Sequence, residues 1–186
     1  KVWIGGLKLL FNELGKNQID WEIYRGDEFQ VEVKNPEEAL KIALQVKAYF
    51  KSLDIDARMS IGIGAKTFKS KKLSESNGSA FERSGTIFET LKKQKINLAV
   101  NSGNAEFDIT FNLMLRLCLT FMDNWLAQSA EFVLITIQNP KLSQEEIGSK
   151  LGINQAAVSR RRKRANFDLL MEINSAFVEK LKMLEV

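Results

Sequence analysis

The sequence contains no histidine, one cysteine and only two prolines among its 186 residues. Without histidine the chain cannot form a Ser-His-Asp or Cys-His catalytic pair, or a zinc site that uses imidazole. A single cysteine cannot form an internal disulfide, so the chain carries no signature of an oxidising compartment. Any metal ion would therefore have to be a hard cation held by carboxylates, such as Mg²⁺ or Mn²⁺.

Long apolar runs are also missing. No stretch approaches the ~20 apolar residues needed to cross a bilayer, and no secretory signal pattern opens the chain. We therefore expect a cytoplasmic protein with no membrane partner. Cys118 lies in the apolar stretch LMLRLCLTFM and is expected to be a buried free thiol.

What the sequence does contain is a strongly local positive charge. The whole chain carries a net charge of +4, but residues 141–164 alone carry +5, which leaves −1 for the rest. The basic residues of this segment are Lys141, Lys150, Arg160, Arg161, Arg162, Lys163 and Arg164. Such a concentration indicates one surface for an anionic partner rather than a generally basic protein.

Apolar periodicity and turn residues divide the chain into an α/β half and a helical half. The elements predicted in the first half are, in order, a helix within 1–15, strands 21–25 and 28–34, a helix from 35 to 53, a strand 57–64, a helix within 74–93 and a strand 95–100. From about residue 105 the pattern is wholly helical. The cluster NSGN at 101–104 marks the boundary, so we expect an α+β domain at 1–102 and an all-helical domain at 103–186.

The opening helix has no strand before it. The hairpin and the third strand would therefore form a sheet that lacks a partner at its start. We expect that a strand upstream of Lys1 completes this sheet in the native protein, and mass spectrometry that placed the native start at Lys1 would exclude it.

The hairpin sequence EIYRGDEFQVEV, residues 22–33, carries two adjacent carboxylates, Asp27 and Glu28. A hairpin tip needs residues such as Gly26 and Asp27 for backbone reasons alone, because they tolerate positive φ. Carboxylates are also the ligands of hard cations. The pattern therefore leaves open a plain turn and a metal site.

The order of an RGDEF hairpin, a helix and a strand ending in SIGIG resembles the catalytic half of the nucleotidyl-cyclase palm fold of diguanylate cyclases. That resemblance implies a ferredoxin-like, palm-type antiparallel sheet. In that family the hairpin carboxylates, here Asp27 and Glu28, hold two metal ions against a nucleoside triphosphate together with an aspartate on the first strand. Arg25 replaces the motif's first glycine, and the aspartate has no match here. A domain that binds nucleotide without turning it over is the alternative.

The sequence LSQEEIGSKLGINQAAVSRRRKRA, residues 142–165, has the spacing of a DNA-binding helix-turn-helix. Ser143 and Glu146 form a predicted capping box, Gly152 makes the turn, and Asn154 caps the second helix. The second helix resembles the Leu-Gly-Ile-x-Gln-x-x-Val-Ser recognition helices of bacterial regulators. The residues expected to meet DNA are Asn154, Gln155, Ala156, Ser159, Arg160, Arg161, Lys163 and Arg164.

Different side chains of this helix suit different contacts. Gln155 can pair with adenine and Arg160 with guanine in the major groove. Arg161, Arg162 and Arg164 are better placed for phosphates, which fix the register of the complex without reading sequence. The alternative is a helical hairpin whose basic face is merely solvated.

The motifs DWEIYRGDEFQVEV, PEEALKIALQVKAY, RMSIGIG and ESNGSAFERSG, followed by the helix-turn-helix, resemble the bacterial SatD family over nearly the whole chain. Members usually begin with a Gly-Asp-Ile strand, so the resemblance implies that the strand expected upstream of Lys1 also supplies the absent aspartate. Within SNGSAFERSG, the small residues Ser76, Gly78, Ser84 and Gly85 would let a phosphate or ribose approach a helix start, and Arg25 and Gly26 are further candidate nucleotide contacts. A tightly packed loop is the alternative.

Together these patterns predict a protein that binds double-stranded DNA and regulates transcription, with a palm-like half that senses a ligand such as a nucleotide. The alternative is a nucleotidyl cyclase or transferase that uses Mg²⁺ or Mn²⁺ at Asp27 and Glu28. A third possibility is a scaffold whose helix-turn-helix contacts protein. The last helix, 167–186, either packs on helix 106–126 or forms a homodimer, which would suit palindromic operators.

Overall fold

The computed structural model describes residues 2–24 and 26–184, which form an α+β fold that is mostly helical. Within these residues there are eight α-helices and four short strands. They are α1 Val2–Asn12, β1 Trp21–Tyr24, β2 Glu28–Val31, α2 Ala39–Ser52, β3 Met59–Gly62, α3 Ser79–Gln94, β4 Leu98–Asn101, α4 Ala105–Met122, α5 Ala127–Gln138, α6 Gln144–Leu151, α7 Gln155–Arg164 and α8 Phe167–Lys182. None of these helices is both long and apolar enough to span a bilayer.

The strands form two separate two-stranded sheets, not the single antiparallel sheet that the sequence predicted. β1 and β2 are the predicted antiparallel hairpin, in which Trp21 lies opposite Val31. β3 and β4 are parallel, with Met59 opposite Leu98, because α3 crosses over between them and returns the chain in the same direction. The expectation of an all-antiparallel sheet was therefore wrong for this pair.

Helix α2 lies at the centre of the molecule. It follows a short 3₁₀ turn, Pro36–Glu38, where Asn35 Oδ1 accepts a hydrogen bond from the backbone N–H of Glu37, as a helix-capping residue does. α2 packs along α5 on one side and contacts β3 and α1 elsewhere. Because α2 belongs to the first half and α5 to the second, the hydrophobic core runs continuously through both.

The two halves also meet at a buried lysine. The side chain of Lys47, on α2, is completely buried, and its Nζ donates to both carboxylate oxygens of Asp56, at 2.6 and 2.8 Å, and to Asp123 at the end of α4. Lys51 Nζ donates to the backbone oxygen of Asp123 at 2.7 Å, and Asn97 Nδ2 donates to its Oδ2 at 3.2 Å. These contacts satisfy a charge that would otherwise be very costly to bury.

The helical half confirms one expectation about its apolar positions and shows where its last helix packs, which the sequence left open. Cys118 on α4 is a buried free thiol, and its burial raises the pKa of the thiol to about 11. The last helix packs back on α4, where the Phe177 ring lies 5.4 Å from that of Phe107 and 5.3 Å from that of Phe111. Intramolecular packing thus accounts for the apolar stripe of α8.

Candidate nucleic-acid interface

Helices α5, α6 and α7 pack together into a three-helix unit. Its interior includes Ile147 of α6 and Val158 of α7, which are both buried. The predicted capping box at the start of α6 is confirmed. The backbone N–H of Ser143 donates to Glu146 Oε2 at 2.7 Å, and the N–H of Glu146 donates to Ser143 Oγ at 3.2 Å. The first of these bonds lowers the pKa of the Glu146 carboxyl from its ordinary value.

Two glycines set the geometry of the turn between α6 and α7. Gly152 ends α6 with φ of +65°, the left-handed conformation in which glycine avoids a steric penalty. A Cβ on Gly148 would lie 2.7 Å from the carbonyl oxygen of Ile153 and 3.3 Å from Val158 Cγ2. Only a glycine therefore lets the two helices cross this closely.

The start of α7 is fixed by Asn154, whose Oδ1 accepts a hydrogen bond of 2.9 Å from the backbone N–H of Ala157. At the other end, the indole Nε1 of Trp125 donates to the backbone oxygen of Ala165 at 3.1 Å within the core. Since Trp125 lies just before α5, this bond ties the last turn of α7 to the first helix of the unit. α7 is therefore held at both ends.

Two of the arginines of α7 form salt bridges with neighbouring helices. Arg161 forms a salt bridge of 3.0 Å with Glu131 on α5. Arg162 Nε donates to Asp168 at 2.9 Å, and its guanidinium lies 5.3 Å from the centre of the Phe167 ring. These contacts orient α7 against its neighbours, so Arg161 and Arg162 are less free to reach a phosphate than their sequence positions suggested.

The remaining cations of α7 point outward. Arg160, Lys163 and Arg164 are exposed, and none of them has a salt-bridge partner within residues 2–24 and 26–184. The other predicted DNA-facing residues that are exposed are Asn154, Gln155, Ala156 and Ser159. Residues 156, 160 and 163 follow the three- and four-residue spacing of one helix face. α7 thus presents a single surface that is cationic, polar and not occupied by the rest of the described chain.

The carboxylates of the β1–β2 hairpin lie elsewhere, at the edge of a cleft. Gly26 has φ of +83°, as a hairpin tip requires, and Asp27 and Glu28 are exposed. Both border a cleft of about 570 Å³ between β2 and β3. Arg25, which the sequence placed beside a nucleotide, lies outside the described residues.

The hairpin does not by itself fit a metal ion. The described part of the chain contains no group of three or more carboxylate or thiol side chains that could hold one. Two exposed carboxylates are too few for the roughly six oxygen ligands that Mg²⁺ takes, unless water or a substrate supplies most of them. We therefore derive no chemical step through a metal.

Two further predicted nucleotide contacts, Ser76 and Gly78, have packing roles. Ser76 Oγ accepts a hydrogen bond of 3.1 Å from the backbone N–H of Ser70 and so closes a loop. A Cβ on Gly78 would lie 2.3 Å from the backbone oxygen of Ala65. Neither residue borders the cleft that Asp27 and Glu28 share, whereas the predicted residues Ser84 and Gly85 do. The structure does not bring these predicted residues together, and their contact with a phosphate stays a prediction.

The sequence did not reveal which residues form salt bridges with the arginines of α7. Glu131 and Asp168 neutralise Arg161 and Arg162, but one lies 30 residues away and the other follows a break between helices. The pair of Arg162 and Asp168 carries a weak signal, since an acidic residue in the first turn of α8 also suits the helix dipole. The contact of Arg161 with α5 required the tertiary structure.

No protein-family model, curated protein or solved structure matches this chain. The resemblance to the SatD family therefore stays a prediction.

Proposed function

We propose that this protein binds double-stranded DNA with α7 in the major groove and α6 crossing the phosphate backbone, and that it regulates transcription in the cytoplasm. The observation that supports this proposal most is that the basic residues of α7 fall into two groups. Arg161 and Arg162 are used to hold the helix, whereas Arg160, Lys163 and Arg164 are exposed with no salt-bridge partner among the described residues.

The exposed residues divide into base and phosphate contacts. Gln155, in the first turn of α7, is at the end of a recognition helix that usually reaches base edges, and it suits adenine. Arg160 can donate two hydrogen bonds to guanine. Lys163 and Arg164, in the last turn, are placed for phosphates, which position the protein without reading sequence. Asn154 already caps α7, so its side chain has less freedom to contact a base.

Removal of the charges of Arg160 and Lys163 tests the proposal. A preferred duplex would first be selected from random DNA with the unaltered protein, and affinity would then be measured for the double variant Arg160→Ala/Lys163→Ala. We expect roughly a tenfold weakening or more, since one good base contact contributes about 1–3 kcal/mol. The slope of log affinity against log salt should also fall by about 0.9 for each phosphate that the variant no longer neutralises.

The matched control is Lys92→Ala/Lys93→Ala, which removes the same charge from exposed positions in the last turn of α3. It should leave the affinity for the selected duplex nearly unchanged. Equal weakening in the two double variants would show that net charge, not α7, governs binding. An unchanged affinity in the Arg160/Lys163 variant, or failure to enrich any duplex at low salt, would refute the proposal.

We further propose that the first half is a palm-type domain. The order of a helix, a hairpin, a helix and a strand supports this interpretation, as does the position of Asp27 and Glu28 at a cleft between two sheets. The enzymatic alternative is tested by incubation with each nucleoside triphosphate and Mg²⁺ or Mn²⁺. A product that disappears in Asp27→Asn would establish it, whereas no product would leave DNA binding as the only function proposed.

A further inference from the structure

Helix α4 carries an apolar row on the side that faces away from the core. Its inner side is formed by buried residues such as Phe107 and Phe111. On the outer side, Ile109, Leu113 and Leu117 follow one another at four-residue spacing and are 72%, 57% and 62% exposed. Single exposed leucines are common on protein surfaces, but a continuous exposed apolar row indicates a contact surface.

The helix that carries this row is held firmly on the fold. The N–H of Val100 donates to Asn112 Oδ1 at 2.8 Å, and Asn112 Nδ2 donates to the oxygen of Val100 at 2.8 Å, so α4 is bonded to β4. The N–H of Ser102 donates to Asp108 Oδ1 at 2.7 Å. A rotation of α4 that buried the outer row would break these bonds and expose Phe111. The row is therefore a surface of the folded chain.

The exposed residues of α4 form a pattern that is symmetric about Leu113. The exposed residues at equal distances on its two sides are, in pairs, Ile109 and Leu117, Thr110 and Arg116, and Glu106 and Thr120. Each pair is therefore either apolar on both sides or polar on both sides. When two copies of a helix meet antiparallel about a two-fold axis through a central residue, such equidistant residues lie opposite one another. The outer face of α4 is therefore complementary to a second copy of itself.

The two charges on this face, Glu106 and Arg116, cannot reach each other within one chain. They lie about 15 Å apart along the helix axis, and neither forms a salt bridge within residues 2–24 and 26–184. In an antiparallel pair centred on Leu113, Arg116 of one copy would lie opposite Thr110 of the other, only about 6 Å along the axis from Glu106. An arginine side chain can span that distance. The two-fold axis would form the same ion pair twice.

We propose that α4 is the interface of a homodimer, in which two copies pair antiparallel through Ile109, Leu113 and Leu117 with the two-fold axis at Leu113. The self-complementary apolar row and the matched charges favour a second copy over an unrelated protein. A lipid surface fits less well, because helices that lie on membranes carry several Lys or Arg on their polar face, whereas α4 has only Arg116. Helix-turn-helix proteins also commonly bind two half-sites as dimers, a support that rests on the proposed function.

Sedimentation equilibrium of residues 1–186 at micromolar concentrations tests the proposal. A pair of single helix faces buries less area than a standard protein–protein interface, so we expect a reversible monomer–dimer equilibrium in this range. Leu113→Glu puts two carboxylates against each other at the two-fold axis and should raise the dimer dissociation constant roughly tenfold or more. Leu9→Glu is the matched control, because Leu9 is a 70% exposed leucine on α1, and it should leave the dimer unchanged.

Cysteine cross-linking tests the antiparallel geometry. Leu113→Cys puts two thiols at the two-fold axis, so mild oxidation should give a disulfide-linked dimer on a non-reducing gel. Leu117→Cys should not, since its two copies would be about 12 Å apart along the axis, beyond the ~7 Å that a disulfide allows between Cα atoms. The native Cys118 is buried and should not react.

An exchange of charges tests the ion pair. Arg116→Glu should weaken the dimer, because it places two carboxylates near each other at both ends of the interface. The double variant Glu106→Arg/Arg116→Glu should recover the affinity of the unaltered protein. Because the two positions are too far apart to interact within one helix, recovery would report a contact between copies.

Several outcomes would overturn the proposal. They are a chain that stays monomeric at every concentration, equal dimerisation of Leu113→Glu and the unaltered protein, equal weakening by Leu9→Glu, cross-linking at both cysteine positions, and no recovery in the double variant. The cysteine pair keeps the test decisive if Leu113→Glu fails to fold. None of these measurements contains DNA, so they are independent of the binding proposed for α7.

Discussion

The two halves of this molecule differ in how completely they satisfy the hydrogen-bonding groups of their own backbones. The helix-turn-helix has a capping side chain at the start of both α6 and α7, and Gly152 closes α6 in the left-handed conformation. Among the residues that the structure describes, the α/β half instead contains two sheets of only two strands each, with edges that face a shared cleft. Helices satisfy their backbone groups from nearby residues, whereas a strand depends on a partner that can be distant in sequence. A helix can therefore satisfy its backbone locally, where a two-stranded sheet leaves strand edges exposed.

The largest expected effect would break the comparison, because Lys47 binds one carboxylate from each half, Asp56 and Asp123. Lys47→Met should lower the free energy of unfolding by about 2 kcal/mol. Removal of one partner of a buried pair usually costs about 3–5 kcal/mol, but the carboxylates of Asp56 and Asp123 keep access to water. Denaturant unfolding followed by circular dichroism measures the change.

The control for Lys47 is Lys41→Met on the same helix, which removes only a solvent-accessible pair with Glu38. It should cost about 0.5 kcal/mol or less. Equal effects of the two variants would show that the buried cluster does not join the halves. Separate transitions for the halves in the unaltered protein would contradict the single core.

A smaller effect on stability would sharpen the comparison. It comes from alanine substitution of two helical glycines, one in each half. Gly148→Ala should lower the free energy of unfolding by about 1 kcal/mol, the low end of the cost of overpacking, because its Cβ lies too close to Ile153 and Val158. Gly85→Ala, on α3, should raise it by about 0.5–1 kcal/mol, since alanine favours a helix and the space is open. Thermal unfolding of both variants reports the sign of each change. Effects of the same sign would refute the close crossing of α6 and α7.

The smallest expected effect concerns the capping box and pH. The Glu146 carboxyl has a pKa below its ordinary value of 4.5 because it accepts a hydrogen bond from the Ser143 backbone. Its ionised form therefore contributes stability above the unfolded pKa, and this contribution is lost as pH falls through the folded pKa. Glu146→Gln keeps the hydrogen bond without titrating. It should lose less stability on acidification below pH 4.5, and an identical pH profile would contradict this role.

The features that could be predicted from the sequence are those that depend on close neighbours. The capping box of Ser143 and Glu146, the turn at Gly152 and the hairpin at Gly26 are all set within a few residues. The parallel pairing of β3 with β4 could not be predicted, because Met59 and Leu98 meet only after α3 has crossed over. The candidate DNA surface was predicted in outline.

Which basic residues of that surface are free of salt bridges could be seen only in the folded structure. Sequence position alone gave Arg161 the same status as Arg164, since both lie on a basic helix. Glu131 distinguishes them, but it lies on α5, and nothing in the local pattern points to it. The burial of Lys47 escaped prediction for the same reason, because its two partners come from a loop and from the end of α4.

The hydrogen bond from the indole of Trp125 to the backbone of Ala165 places a natural fluorescent probe beside the end of α7. Trp125 is buried beside the last turn of α7, while Trp21 is buried at the hairpin, where its Nε1 donates to the oxygen of Gly15 at 3.0 Å. The two rings therefore sample opposite parts of the chain. With phenylalanine in place of the other tryptophans, the emission of each would follow one region alone, in real time and without an attached dye.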